Sequence, residues 1–195
     1  MNLLLEGIGS MLQPCTLALI VPGLAVVLTA QHTAVWAVGG YLTGAAVMSW
    51  MRMIGWVTPP DENALMALVV LGGIALIWWQ SNQHNGIWSA AGAAAVGAIA
   101  GLMWLPCVGE HYGTLLERGE TETCALFVPN LAYVVGLNLI LVVVAALPLV
   151  VRRLVPIRDS LGAALVGVLA GSAIAVTMAL GAYSDVVGEL YDLSV

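Results

Sequence analysis

The chain has 195 residues, of which 61% are hydrophobic and 8% are charged, and it contains no lysine. A mean hydropathy of +1.00 excludes an ordinary soluble globular protein. With five basic residues and a net charge of −6, nothing in the composition favours a nucleic-acid partner.

Six apolar runs follow one another along the chain, and each is long enough, or nearly so, to cross a hydrocarbon core of about 30 Å as a helix. They are apolar on all sides, whereas barrel strands alternate between polar and apolar residues. We therefore predict an all-α integral membrane protein with six transmembrane helices in a single membrane domain over residues 1–195, embedded in the lipid bilayer. The predicted crossings are residues 2–30, 34–51, 64–79, 87–109, 125–151 and 161–183. Short connecting segments imply that any chemistry takes place in or at the membrane.

The first run carries the sequence QPCTLALIVP at residues 13–22. Proline lacks an N–H and clashes with the carbonyl four residues earlier, so Pro14 is expected to break the helix. Cys15 would then be the second residue of a new half-helix, where the positive end of the peptide dipole favours a thiolate. Thiolates carry out thiol–disulfide exchange, so the pattern indicates redox chemistry.

The fourth run repeats this arrangement. Residues 101–107 read GLMWLPC, and residues 9–15 read GSMLQPC. The repeat predicts two three-helix units, about 1–86 and 87–195. Because three is an odd number of crossings, the second unit is inverted relative to the first. Pro106 and Cys107 are thus the counterparts of Pro14 and Cys15.

Two polar residues follow the second cysteine at helical spacing. Glu110 and His111 lie three and four positions after Cys107, so on a helix they share its face. There the imidazole could accept the thiol proton or pair with the thiolate. An ordinary interfacial His–Glu pair is the alternative interpretation.

The fifth and sixth runs contain packing signals. Pro129 and Pro148 indicate that span five is bent, and the amides of Asn130 and Asn138 are expected to bond to neighbouring helices. Glycine pairs with the spacing of close helix packing are Gly40 with Gly44, Gly97 with Gly101 and Gly167 with Gly171.

The arginines predict the orientation in the membrane, because basic residues in short loops prefer the cytoplasm. The loops on one side of the membrane contain Arg152, Arg153 and Arg158, and those on the other side contain only Arg52 and Arg118. The side with three arginines is therefore predicted to face the cytoplasm, which makes both termini extracytoplasmic.

At these motifs the sequence resembles the CcdA and DsbD family of transmembrane thiol–disulfide transporters, as a minimal CcdA-like member. WLPCVGEHYG around Cys107 is similar to one family motif, and PCTLALIVPG, which ends in Pro22 and Gly23, is similar to the other. Ala18 stands where the family often has proline, and Pro22 lies one position later than the family pattern. The polar residues after Cys107 also depart from the apolar continuation that is usual in the family.

The resemblance implies that Cys15 and Cys107 form a redox pair, supported by Pro14, Pro22 and Pro106, with no metal and no cofactor. Electrons would come from cytoplasmic thioredoxin and pass to extracytoplasmic thioredoxin-like proteins, as in cytochrome c maturation. The expected location is the inner (plasma) membrane of a prokaryote.

Another class of function remains open on the sequence alone. A permease for soft metal ions could use Cys15, Cys107, Glu110 and His111 together with the repeated Met11 and Met103. Cys124 has no preceding proline and no counterpart in the repeat, so we expect a small packing residue or an incidental thiol. His32 and His84 are placed in loops without an assigned role.

Overall fold

The computed structural model describes residues 3–58, 64–104, 117, 124–154 and 161–192. Throughout these residues the regular elements are helical, which confirms the all-α class. The helices are α1 (Leu3–Ser10), α2 (Leu17–Ala30), α3 (Ala34–Met53), α4 (Ala64–Asn82), α5 (Gly86–Met103), α6 (Phe127–Leu137), α7 (Leu139–Leu154), α8 (Leu161–Ala179) and α9 (Tyr183–Asp192). Single 3-10 turns at Pro14–Thr16 and Gln31–Thr33 precede α2 and α3.

Four helical stretches in the described part of the chain are long and apolar enough to cross a membrane, and the bent pair α6 and α7 makes a fifth. The stretches are Leu17–Met53, Ala64–Asn82, Gly86–Met103 and Gly162–Ala179. Their length and composition are those of a multi-pass membrane protein.

The longest of these stretches, Leu17–Met53, is folded back on itself. In one straight helix Leu19 and Tyr41 would lie about 33 Å apart. Instead, the Tyr41 hydroxyl donates a hydrogen bond of 2.5 Å to the Leu19 carbonyl. The reversal occurs at Gln31, whose φ of 35° is left-handed. The helices α2 and α3 therefore form a helical hairpin.

Close backbone contact between α3 and α5 forms the centre of the bundle. A methyl group added at Gly40 or Gly44 would overlap the carbonyl oxygen of Ala90 or Ala94, respectively. On the facing helix, Gly101 also lies close to Ala45, so a methyl group there would come 2.5 Å from the Ala45 carbonyl oxygen. The predicted packing role of these glycine pairs is confirmed. Both helices also run in the same direction, since the contacts advance together along the two sequences.

The other helices surround this pair. On one side α4 packs against α5 and α8, and α8 packs against α2, which also contacts α3 and α5. On the other side α6 packs against α3, and α1 packs against α6. The core consists of small and branched apolar side chains with the aromatic residues Trp104, Tyr41 and Tyr133, each 1% exposed.

The fifth predicted span is bent, as expected, but the bend is not at its prolines. The axes of α6 and α7 meet at 61° around Asn138. Pro129 lies in the first turn of α6, where a helix needs no N–H donor, and α7 continues past Pro148 to Leu154. The expected bond of the Asn138 amide to a neighbouring helix is wrong, since its nitrogen donates 3.0 Å to the Val134 carbonyl of its own helix. This local bond competes with regular helix geometry.

Candidate functional site

The first Pro-Cys pair lies at a helix break. Helix α1 ends at Ser10 and α2 begins at Leu17, so the break predicted at Pro14 is confirmed. Cys15 is the middle residue of the Pro14–Thr16 turn that leads into α2. Its backbone is described, whereas its side chain lies outside the described part of the structure.

Thr16 stabilises this break from within. Its side chain is fully buried, and its hydroxyl lies 3.0 Å from the Met11 carbonyl and 2.6 Å from the Gln13 carbonyl. Both carbonyls follow the end of α1, where regular helical partners are missing. In a membrane such groups need a donor from the protein. The single hydroxyl proton of Thr16 is shared between these two carbonyls, and the Gln13 carbonyl also accepts from the Thr16 backbone N–H at 3.1 Å.

The break lies at the end of α2 opposite the Gln31–Thr33 turn, and its exposure is mixed, since Thr16 is buried whereas Leu12 is 84% exposed. Helix α2 has 14 residues, which span about 21 Å. The Pro14–Thr16 turn therefore lies about 21 Å from the Gln31–Thr33 turn along the axis of α2.

Pro22 lies inside α2 and leaves a carbonyl that another helix satisfies. Because proline has no N–H, the carbonyl of Ala18, four residues earlier, loses its helical partner. The buried hydroxyl of Tyr183, in α9, donates 3.0 Å to this carbonyl. Helix α9 also packs against the Pro14–Thr16 turn. The C-terminal helix is thus attached to the Cys15 segment at two places.

The second Pro-Cys segment follows the end of α5. The helix stops at Met103, and Trp104 is extended, with φ −63° and ψ 119°. One guanidinium nitrogen of Arg52, in α3, lies 2.8 Å from the carbonyls of both Leu102 and Trp104. A cation beside the last carbonyls of a helix is favourable for both hydrogen bonding and the helix dipole. Arg52 therefore fixes the point at which the chain leaves α5 toward Cys107.

The remaining predicted residues of the second segment, Pro106, Cys107, Glu110 and His111, lie outside the described residues. The separation of Cys15 from Cys107 and the shared helix face of Glu110 and His111 stay predictions.

A buried polar cluster lies next to the end of α5. The side chain of Asn130 is fully buried, and its amide nitrogen donates to the Ala46 carbonyl at 2.8 Å and to the Ser49 hydroxyl at 2.9 Å. The predicted bonding of this amide to a neighbouring helix is confirmed. Its Oδ1 has no hydrogen-bond partner within the described part of the chain. One turn along α6, the Tyr133 ring stacks on Trp104 with centroids 6.4 Å apart.

Three further residues had no assigned role, and the two histidines among them lie in turns, as expected. Cys124 is exposed, so it is not a packing residue. His32 and His84 come from separate turns, and their rings stack with centroids 4.6 Å apart. No group of three histidine, cysteine or acidic side chains that could hold a metal ion occurs among the residues described.

Sequence reasoning missed Tyr41, Tyr183 and Arg52, which contact the backbone around the two Pro-Cys segments. Tyr41 carried a signal that was available, since Tyr41 and Gly44 recur as Tyr133 and Gly136 with the same 92-residue offset as the two cysteines. Tyr183 and Arg52 have no such signal, because their roles depend on which helices become neighbours in three dimensions.

Comparison of the chain with protein-family models, with curated proteins and with solved structures finds no match.

Proposed function

We propose that the protein is a membrane thiol–disulfide oxidoreductase that carries reducing equivalents across the bilayer through Cys15 and Cys107. The observation that carries this proposal is the position of the first Pro-Cys pair at a helix break where carbonyls accept hydrogen bonds from the side chains of Thr16 and Tyr183. The second pair follows the end of α5 directly, and α2 and α5 pack against each other.

The depths of the two segments favour their meeting. Helix α5 has 18 residues and spans about 27 Å, whereas α2 spans about 21 Å from the neighbouring turn at the same end of the bundle. The two Pro-Cys segments thus begin within several ångströms of one another in depth. A disulfide needs the two Cα atoms within about 7 Å, so the proposal requires the two segments to approach that closely.

The proposed reaction transfers two electrons and two protons. A dithiol of cytoplasmic thioredoxin attacks the Cys15–Cys107 disulfide, a mixed disulfide forms, and the second thioredoxin thiol releases the protein as a dithiol. The dithiol then reduces the disulfide of an extracytoplasmic thioredoxin-like acceptor and returns to the disulfide form. In this scheme Glu110 and His111 accept and return the thiol protons.

We further propose six crossings arranged as two inverted repeats, with α2 and α3 as separate crossings and α6 with α7 as one. Support comes from the packing pattern. The 92-residue offset relates α5 to α1 and α3 to α6, so it converts the α3–α5 contact into the α6–α1 contact, and both contacts are present. The loop with Arg152, Arg153 and Arg158 then faces the cytoplasm of a prokaryote, and both termini lie outside.

The test is disulfide mapping of the purified full chain. After alkylation without reductant, mass spectrometry should find a Cys15–Cys107 disulfide with Cys124 free, and thioredoxin should reduce that bond. Cys15→Ser or Cys107→Ser should abolish reduction by thioredoxin, and Cys124→Ser serves as the matched control that retains it. A dominant disulfide involving Cys124, or cysteines that never pair while the protein binds copper or zinc, would reject the proposal.

A further inference from the structure

Two histidines from separate turns meet at one end of the bundle. His32 lies in the Gln31–Thr33 turn between α2 and α3, and His84 lies in the turn between α4 and α5. Their ring centroids are 4.6 Å apart, and the ring planes are inclined by 30° to each other. His84 is exposed and His32 is half-buried, so an ion in the adjoining water can reach the pair.

The two turns are fixed against each other by hydrogen bonds between buried residues. The Thr33 hydroxyl donates to the Ser89 hydroxyl at 2.7 Å, and the Ser81 hydroxyl donates to the Ala30 carbonyl. All four residues are buried. The backbone of His84 has a φ of 57°, which is uncommon for a residue with a side chain and persists only where the surrounding structure holds it. The two imidazoles are therefore presented together by a preorganised support.

The separation of the rings fits two imidazoles bound to one metal ion. A metal–nitrogen distance of about 2.0–2.1 Å puts each ring centroid about 3.2 Å from the ion. Centroids 4.6 Å apart then subtend an angle of about 90° at the ion, whereas tetrahedral coordination would need centroids about 5.2 Å apart. Each ring has two nitrogens and rotates about its side-chain bonds, so one nitrogen of each can be directed at a shared ion.

The chemistry of the surroundings restricts the kind of ion. Residues 17–51 and 64–103 contain no Asp, Glu, Lys or Arg, so these stretches offer no carboxylate for a hard cation such as Mg²⁺ or Ca²⁺. Imidazole suits Zn²⁺, Cu²⁺ and Ni²⁺, and of these Cu²⁺ and Ni²⁺ prefer ligands at right angles. No third histidine, cysteine or acidic side chain joins the pair among the described residues, so water would complete the coordination.

We propose that His32 and His84 bind one divalent transition-metal ion with right-angle coordination, Cu²⁺ or Ni²⁺, and that the ion links the α2–α3 turn to the α4–α5 turn. This site and the Cys15 turn lie at opposite ends of α2, about 21 Å apart. The inference therefore does not rest on the proposed redox function of the cysteines.

The test measures Ni²⁺ binding by the full chain in detergent, prepared without a histidine tag and with its three cysteines replaced by serine. Isothermal titration calorimetry at pH 7.5 should show saturable binding of one ion per chain. His32→Ala and His84→Ala should each weaken binding by about 10-fold or more, because loss of even an outer-shell partner of a ligand costs about 10- to 100-fold in metal affinity. His111→Ala, which removes the remaining histidine, is the matched control and should bind as the parent does.

Cu²⁺ provides a second measurement that does not depend on the folding of a variant. Electron paramagnetic resonance of the Cu²⁺-loaded parent should show couplings from the nitrogens of two imidazoles, and either histidine variant should show one. A parent with one imidazole or none on the ion would overturn the proposal. Unchanged Ni²⁺ binding in His32→Ala or His84→Ala, or loss of binding in His111→Ala, would also overturn it.

Protons should compete with the metal, because only a neutral imidazole binds it. The affinity for Ni²⁺ should therefore fall by about 10-fold or more between pH 7.5 and pH 5.5, and equal affinity at the two pH values would exclude imidazole ligands.

The metal site and the proposed function can fail separately. Reduction by thioredoxin is measured on His32→Ala and His84→Ala proteins that keep their cysteines, and it should be normal. Ni²⁺ binding by a protein that thioredoxin cannot reduce would reject electron transfer and keep the metal site. Reduction by thioredoxin without Ni²⁺ binding would reject the metal site alone.

Discussion

We predict that the hydrogen bond from the Tyr183 hydroxyl to the Ala18 carbonyl compensates for the helical hydrogen bond that Pro22 removes. Tyr183→Phe removes the donor and leaves a buried carbonyl without a partner, which should cost about 1–3 kcal/mol of unfolding free energy. With Pro22→Ala, the N–H of residue 22 can reach the Ala18 carbonyl as in a regular helix. The same Tyr183→Phe change should then cost less than about 1 kcal/mol.

These two substitutions define a double-mutant cycle with an expected coupling of about 1–2 kcal/mol. Reversible unfolding in mixed detergent and SDS micelles, followed by far-ultraviolet circular dichroism, gives the four free energies. Tyr41→Phe is the comparison, since the Leu19 carbonyl that Tyr41 contacts has a potential helical donor in Gly23. The loss of unfolding free energy caused by Tyr41→Phe should therefore change little when Pro22 is replaced by alanine. Equal costs of Tyr183→Phe in both backgrounds would show that the hydroxyl does not compensate for the proline.

Three further substitutions test the packing, the bend and the proton transfer. Gly40→Ala should lower the unfolding free energy by about 1–3 kcal/mol, because the added methyl group overlaps Ala90. Gly39→Ala is the control and should be neutral or stabilising, because no atom lies within 4 Å of its added methyl group. Equal effects of the two substitutions on the unfolding free energy would contradict the packing account. Asn138→Leu should reduce the 61° bend, measured as a longer distance between spin labels at the ends of α6 and α7, and an unchanged distance would remove Asn138 as its cause. His111→Ala should slow reduction by thioredoxin at pH 6–7, with a smaller deficit near pH 9, where a thiol ionises without a base; a deficit that is constant with pH would exclude a base.

Features set by one residue's own covalent chemistry could be predicted from the sequence. The break at Pro14 follows from a missing N–H, and the close packing at Gly40 and Gly44 follows from a missing side chain. The helical class likewise follows from apolar runs that must satisfy their own backbone in lipid. None of these depends on knowing which helices are neighbours.

Features set by partners far along the chain could not be predicted. The carbonyl of Ala18 is satisfied by Tyr183, 165 residues away, and the stacked rings of His32 and His84 come from different turns. The bend in span five was predicted, but its position at Asn138 was not, because Pro129 lies in a first helical turn and α7 continues past Pro148. The bend lies at Asn138, whose side chain donates a hydrogen bond to the Val134 carbonyl. Asparagine has no covalent constraint that would predict a bend from sequence.

Both Pro-Cys segments are bounded by carbonyls that accept hydrogen bonds from side chains. Thr16, Tyr41 and Tyr183 donate around the first segment, and Arg52 donates just before the second. A regular transmembrane helix needs no such donors, because its own N–H groups satisfy its carbonyls. Placing polar side chains in an apolar bundle is costly, and at these two segments the donors stabilise backbone that is not regular helix. Loss of one donor should therefore change the chemistry of the adjacent cysteine before it unfolds the bundle.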